Sequence, residues 1–290
     1  MDTEKCKALL CTIETGSLSA AAEKLGYTPS GISRMMAALE ADAGFPLLVR
    51  SRSGVTPTGE CERLMPLFRA LCSYGDQFEQ STSEIRGLGT GVVTVGVSSG
   101  GYYRWLFQVI SDFCQVYPKI EVRVLDGISS ELTVAMDEHR ADLCLISRRE
   151  GNFHWLPLAI EEMVAWLPAG HPLVSAPTFP LEQFAKDPYI DITHTSDTDC
   201  SLLLDRGGIT PNVHFTASDN YAAYLMVEAG LGVSLNQSLV SRDWTGRVAI
   251  KPLSPPQPVE IGLAIPETLA PAARRFADFA AERAEQYAVD

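Results

Sequence analysis

The sequence predicts an α/β protein overall, with an all-α segment at its N-terminal end. Three observations carry this prediction. Most of the first sixty residues fall into short runs of helical apolar spacing, each closed by a glycine. About thirty residues then keep one helical pattern without a break. From Thr90 onward, apolar strand-like runs alternate with amphipathic stretches, the pattern of α/β architecture with open sheets.

The elements follow in order. TEKCKALLCTIETG sets Cys6, Leu9, Leu10 and Ile13 on one helical face and stops at Gly16, a fitting C-terminal glycine. In SLSAAAEKLG, Ser19 is expected to cap a short helix, Ala20, Ala21 and Ala22 permit close packing, and Gly26 ends it. TPSGISRMMAALEADAG opens with Thr28 as cap and Pro29 at the first helical position. It offers Ile32, Met35, Met36 and Leu39 to a core and ends at Gly44. Two short helices joined by a tight Gly-containing turn, the second opening on small polar residues, make a helix-turn-helix. A small helical bundle is the plainer alternative. FPLLVRSRSGVTPT then supplies a short strand, a polar Gly turn and a return, which together form a wing.

The unbroken pattern comes next. Leu64, Leu67, Phe68, Leu71, Tyr74, Phe78 and Ile85 recur at helical spacing. A lone helix of that length has no core of its own, so its stripe calls for a partner helix. Pro66 falls close to its start, where proline is tolerated. Expected domain limits are therefore 1–60, 61–89 for a linker helix, and 90–290.

Charge is unevenly placed. The formal net charge is −13, which argues against nucleic acid as a partner if it is spread evenly. Up to Glu60, however, 6 Lys and Arg stand against 7 Asp and Glu, and the acidity belongs to the C-terminal two-thirds. The 7 cysteines never form C-x-x-C and read as small buried hydrophobes, while the 5 histidines show no i, i+4 pair. No metal and no cofactor is expected. The N-terminus lacks the apolar core of a signal peptide and no apolar run reaches ~18 residues, so a cytoplasmic protein with no membrane partner is expected.

In the α/β region the strands are VVTVGV, IEVRVLDG, ADLCLIS, MVAWLPAG, PYIDIT, VHFTAS, GVSLNQ and VEIGLAIP. Helical stretches such as RWLFQVISDFCQVYP, SSELTVAMDEHR, DNYAAYLMVEAG and the closing LAPAARRFADFAAERAEQYA lie between and after them. Two such runs suggest two similar lobes. Gly96-Val97-Ser98-Ser99-Gly100 matches the G-x-S-x-G nucleophile elbow, with Asp191 and His214 following in triad order. An elbow normally follows a central strand, yet this is the first strand after a helix-turn-helix and a long helix. A ligand site at the strand's carboxyl end fits better.

GSLSAAAEKLGYTPSGISRMMAALEADAGFPLLVRSRSGVTPT resembles the N-terminal winged helix-turn-helix of LysR-type transcriptional regulators. The features are Gly-Ser-x-Ser-x-Ala-Ala, Pro-Ser-x-x-Ser-Arg, Leu-Glu, and Gly-x-Pro-Leu-x-x-Arg ahead of the wing. Departures are Ala37 and Ala38 in place of polar or basic residues, Pro57 for leucine, and Cys61 for glycine. The C-terminal region resembles that family's effector domain, built like a periplasmic binding protein, through His171-Pro172-Leu173 and VEAGLGVSL.

The resemblance implies a fold: an N-terminal all-α winged helix-turn-helix, a long linker helix, and a C-terminal two-lobed α/β periplasmic-binding-protein-like domain. Lobe I would take about 90–161 and 265–290, and lobe II about 162–264, with crossings near Glu161–Trp166 and Leu263–Pro266. It also implies partners: double-stranded promoter DNA, a small-molecule effector, and further copies of the chain in a homodimer or homotetramer. Thr28, Pro29, Ser30, Ser33 and Arg34 would face DNA from the recognition helix, with Arg50 and Arg52 in the wing. Helix-terminal hydroxyls and arginines suit phosphates and base edges, though Arg34 and Arg50 have a fold-stabilising ion pair as alternative.

Effector candidates sit at strand ends and helix starts: Ser98, Ser99 and Gly100; Tyr102; Ser129 and Ser130; Thr193, His194 and Thr195; and Ser218. Hydroxyls and free N–H groups there suit a carboxylate, while ordinary helix capping is the alternative for the serines. Two rival functions remain: a hydrolase centred on Ser98, and a redox sensor at Cys200. Cys200 has no second cysteine nearby, and Asp197 and Asp199 beside it raise a thiol pKa.

Overall fold

The computed structural model describes residues 2–52, 54–98, 102–192 and 197–284. Its first compact unit opens with α1 (Thr3–Thr15), α2 (Leu18–Leu25) and α3 (Pro29–Ala43), followed by β1 (Leu48–Ser51), β2 (Gly54–Pro57) and α4 (Gly59–Ile85). The first three helices each end on a glycine in the left-handed region, Gly16, Gly26 and Gly44. Thr28 caps α3 as its sequence predicts. Ser17, not Ser19, caps α2: its backbone is extended and its hydroxyl accepts from the Ala20 N–H. With α1 ending at Gly16, Ser17 is the first residue free to take that conformation, and Ser19 already lies within the helix.

Cys6 and Leu9 of α1 pack with Ile32, Met36 and Leu39 of α3, while Leu10, Ile13 and Met35 are partly buried beside them. Cys61, Phe68 and Cys72 bring the first half of α4 into the same core. The helix runs unbroken past Pro66, with Thr58 as its cap. The wing is fixed at both ends. At its tip Gly54 has φ 124°, and a Cβ there would lie 2.8 Å from the Gly16 carbonyl oxygen, which accepts from the Val55 N–H at 2.8 Å. Only glycine fits that approach. At its base, the Glu40 carboxylate accepts from the N–H groups of Leu47 and Leu48 at 2.9 and 3.2 Å, tying α3 to β1.

Most of the remaining chain forms a second compact unit. Its elements are β3 (Gly91–Val97), α5 (Tyr103–Val116), β4 (Ile120–Asp126), α6 (Ser129–Asp137), β5 (Leu143–Ser147), β6 (Phe153–Pro168), β7 (Phe179–Pro180) and β8 (Tyr189–Ile192). Then come α7 (Asp199–Arg206), β9 (Val213–Ala217), α8 (Asn220–Glu228), β10 (Ser234–Gln237), β11 (Val248–Ser254), β12 (Pro258–Pro266) and α9 (Pro271–Ala281). The main sheet has the order β4-β3-β5-β12-β6-β11-β7, with β10 also paired to β6, while β8 and β9 form a parallel pair.

The two lobes meet along β6. Its residues Phe153–Glu162 pair with β12, and Met163–Pro168 pair with β10 and β11. In that second half, Met163, Ala165 and Leu167 enter one core and Val164 and Trp166 another, so the strand is buried on both faces. The outward crossing thus falls at 162–163, within the expected stretch. The return comes earlier than Leu263–Pro266, because β12 already pairs with the first half of β6 from Pro258. The motif VEAGLGVSL has a steric reason: a Cβ on Gly232 would lie 2.3 Å from the Pro188 carbonyl oxygen, which accepts from the Val233 N–H at 2.8 Å. His171 caps a short 3-10 turn, its Nδ1 accepting from the Leu173 N–H at 3.1 Å and its Nε2 lying 3.0 Å from Asp187. Among the described residues, no helix is long and apolar enough to cross a membrane.

Candidate functional sites

At the start of α3, the Thr28 hydroxyl accepts from the Gly31 N–H at 3.1 Å and lies 3.2 Å from the Ser30 hydroxyl. Thr28, Pro29, Ser30 and Arg34 are exposed and Ser33 is half-buried. Arg34 Nε donates to the Ser30 carbonyl at 3.4 Å, a long bond that uses one of five guanidinium donors. Arg50 in β1 and Arg52 in the turn are also exposed. None of the three arginines forms an ion pair with a described residue, which removes the ion-pair alternative for Arg34 and Arg50. Hydroxyls at a helix N-terminus suit polyanion phosphates, and so do exposed guanidinium groups on the same helix and on a wing.

Along α4 the predicted stripe divides. Phe68 is buried and Leu64 partly so, against the helix-turn-helix core. Leu67, Leu71, Tyr74, Phe78 and Ile85 are exposed, Phe78 at 73% and Ile85 at 87%. With Ser81 these positions alternate four and three apart, the spacing of a coiled-coil seam.

In the α/β unit, the Ser98 hydroxyl is buried at the end of β3 and accepts from the Ser129 hydroxyl at 3.0 Å. The Ser129 oxygen in turn accepts from the Ser147 N–H at 3.1 Å. Ser98 does not cap α5, and among the described residues no base is hydrogen-bonded to it. The residue before α5 is Tyr102, which is buried and makes no side-chain cap bond. Among the described residues, no histidine bonds to Ser98, and His214 lies exposed on β9. Ser98→Ala is expected to cost about 1–2 kcal/mol of stability by leaving the Ser129 hydroxyl without its acceptor. It should remove no esterase activity, which a thermal melt and a p-nitrophenyl acetate assay would check together. Ser218 is not a cap either: its hydroxyl donates to Asp219, and Asp219 caps α8 through the Ala222 N–H. Ser99, Gly100, Thr193, His194 and Thr195 lie outside the described residues.

Sequence reasoning missed the most highly connected group. Arg149, two residues past β5, donates to the Asp199 carboxylate at 2.7 Å and to the Ser130 hydroxyl at 3.2 Å. Ser147 and Gln237 both donate to the other Asp199 oxygen, at 2.5 and 2.7 Å. Ser147 and Arg149 come from the first lobe, Asp199 and Gln237 from the second. The overlooked signal was TDCSLLLDRGG, a threonine cap and closing glycines around a helix of 8 residues. Cys200 follows in the same turn and donates to the Leu235 carbonyl at 3.2 Å. Burial, then Asp199 and Asp191, push its thiol far above the ordinary cysteine range. Burial also raises Cys61 to about 11 and Cys144 to about 12. Millimolar hydrogen peroxide at neutral pH is therefore expected to leave Cys200 reduced, as intact-mass and thiol-labelling measurements would show.

A winged helix-turn-helix joined by a long helix to a two-lobed α/β domain defines a ligand-responsive regulator. Residues 3–62 match the bacterial regulatory helix-turn-helix family of LysR type, and residues 86–285 match the LysR substrate binding domain. The chain belongs to the LysR family of transcriptional regulators. It is similar to the HTH-type transcriptional regulator CbbR of Rhizobium meliloti, at 29% identity over 224 residues, 76% of this chain and 71% of CbbR. The HTH-type regulator YvbU of Bacillus subtilis is 23% identical over 287 residues, 97% of this chain and 98% of YvbU. Among solved structures, full-length CbnR in complex with its target DNA shares the fold with a TM-score of 0.65 at 20% identity, covering 98% of this chain and 100% of that one.

Proposed function

We propose that this regulator binds promoter DNA in the cytoplasm as a homodimer or homotetramer, and that a small carboxylate-bearing effector held between the two lobes modulates that binding. The DNA-binding domain would take 1–60, the dimerising linker 61–89 and the effector-binding domain 90–290. The observation that carries the DNA reading is the exposed Thr28, Ser30 and Arg34 in the first two turns of α3 and at its cap, with the exposed, unneutralised Arg50 and Arg52 on the wing. The DNA complex of CbnR supports it by fold. Few basic residues per chain make binding weak for one copy, so affinity depends on several copies engaging together. The buried polar network joining the lobes supports the effector reading, since its arginine suits a carboxylate.

The test is in vitro selection of duplex DNA by the full chain, followed by titrations of the selected sites at several salt concentrations. Arg34→Ala and Arg50→Ala are each expected to weaken binding roughly 5- to 150-fold, the range for a lost bidentate base contact, or to flatten the salt slope by about one if the contact is to phosphate. Unchanged affinity in both variants would remove these arginines from the interface.

A further inference from the structure

The carboxylate group that joins the two lobes belongs to the protein. Three donors converge on it: Arg149 Nη2 at 2.7 Å from one Asp199 oxygen, Ser147 Oγ at 2.5 Å and Gln237 Nε2 at 2.7 Å from the other. Ser147 and Gln237 are buried, while the Arg149 and Asp199 side chains keep 15% and 17% of their surface. This is how a protein holds a bound carboxylate: one oxygen on a guanidinium, the other on neutral donors, at charge-assisted distances. The place is also right, because Ser147 ends β5 and open α/β sheets take ligands at the carboxyl ends of their strands.

A plain interlobe ion pair would show the Arg149 contact alone. Here the segment ahead of Asp199 is pinned as well. The Asp197 carbonyl accepts from the Ser130 hydroxyl at 2.8 Å and from Arg149 at 3.5 Å, and Asp197 has φ 74°, a left-handed backbone that a residue with a Cβ adopts at a cost. The first lobe thus grips the second through one short segment, held in a conformation that the segment disfavours by itself.

We infer that Arg149, Ser147 and Gln237 form a carboxylate-binding site, that Asp199 occupies it as a tethered internal ligand, and that a carboxylate effector binds there by displacing Asp199. This deepens, and rests on, the effector-responsive reading above. Asp199 neutralises Arg149, so a second carboxylate entering beside it would meet a site without net positive charge. Displacement exchanges one carboxylate for another on the same donors. It frees the start of α7 from the first lobe, and the site therefore reports occupancy by releasing a helix. The Ser98–Ser129 pair plays a supporting part, since Ser129 holds the Ser147 backbone from behind.

The test is chemical rescue in the full chain with acetate as the probe. In Asp199→Ala, sodium acetate should raise Tm saturably above matched sodium chloride, and the bound acetate should be seen by line broadening of its NMR signal. Affinity for acetate should be at least tenfold higher than in the parent chain, where Asp199 competes. Adding Arg149→Met to Asp199→Ala should abolish the saturable response. Should Asp199→Ala fail to fold, the isosteric Asp199→Asn keeps the shape and removes the charge, and it too should bind acetate better than the parent. Acetate acting only as chloride does in every folded variant would overturn the inference, as would equal acetate affinity in the parent and the variants. DNA binding of the parent chain, measured alongside, separates the two claims: its absence defeats the regulatory reading and leaves the acetate result standing.

Discussion

A fragment beginning after Arg86 is expected to fold and to show no measurable affinity for DNA that the full chain selects. The sheet of the α/β unit starts at Gly91, and the buried apolar side chains of that unit begin at Val93. None of those core side chains is lost by the cut. Every DNA-facing candidate is removed with the first compact unit. The region from 91 onward also carries most of the acidity, with Asp and Glu in excess over Lys and Arg by 11. That excess repels a polyanion once the wing arginines are gone. Circular dichroism and a cooperative melt would establish folding, and fluorescence anisotropy would measure binding. Retained affinity in the fragment would place the DNA contact in the α/β domain and overturn the division of labour.

The second large effect concerns α4. Replacing Leu71 and Phe78 together by Glu puts two like charges per chain on the exposed stripe, at positions that face a partner helix in a coiled-coil pairing. Neither side chain belongs to the core of the first unit, so each chain should still fold. Pairing should fail, and with it the gain from linked binding, which is typically 10²–10⁴-fold in such arrangements. Sedimentation would show a chain mass near 31.5 kDa in place of a multiple of it. DNA affinity should fall by about two orders of magnitude or more, while the melting temperature of the α/β unit stays unchanged. A variant that still sediments as an oligomer and binds as the parent does would mean that the stripe has another use.

What could be read from the sequence was local. The glycine stops after α1, α2 and α3 and the Thr28 cap are decided by residues within one turn of each other, and all appear where expected. The Ser17 cap was misplaced by two residues, because Ser17 and Ser19 differ only in where the previous helix lets go. Strands buried on both faces stood out as apolar runs. β11 did not, because Lys251 and Pro252 interrupt it, nor did the first half of β6, which Pro157, Glu161 and Glu162 break up. The polar site was the least legible. Arg149 and Asp199 are 50 residues apart, and no spacing rule connects them. The serines at strand ends, conspicuous in the sequence, are mostly committed to the protein's own oxygens and N–H groups.

The route by which the chain passes between its lobes limits how they can move. It goes out at Glu162–Met163 and returns by Pro258, and at that level the Met163 N–H donates to the Gln257 carbonyl at 2.9 Å. The outgoing and returning segments are therefore fastened to each other. Two separate tethers would leave the lobes free to slide, shear or open on either side. A single stitched point permits mainly rotation about itself, like the rivet of a pair of scissors. If a carboxylate displaces Asp199 at Arg149 as inferred above, a change of angle about that rivet is the motion it would drive in the rest of the chain.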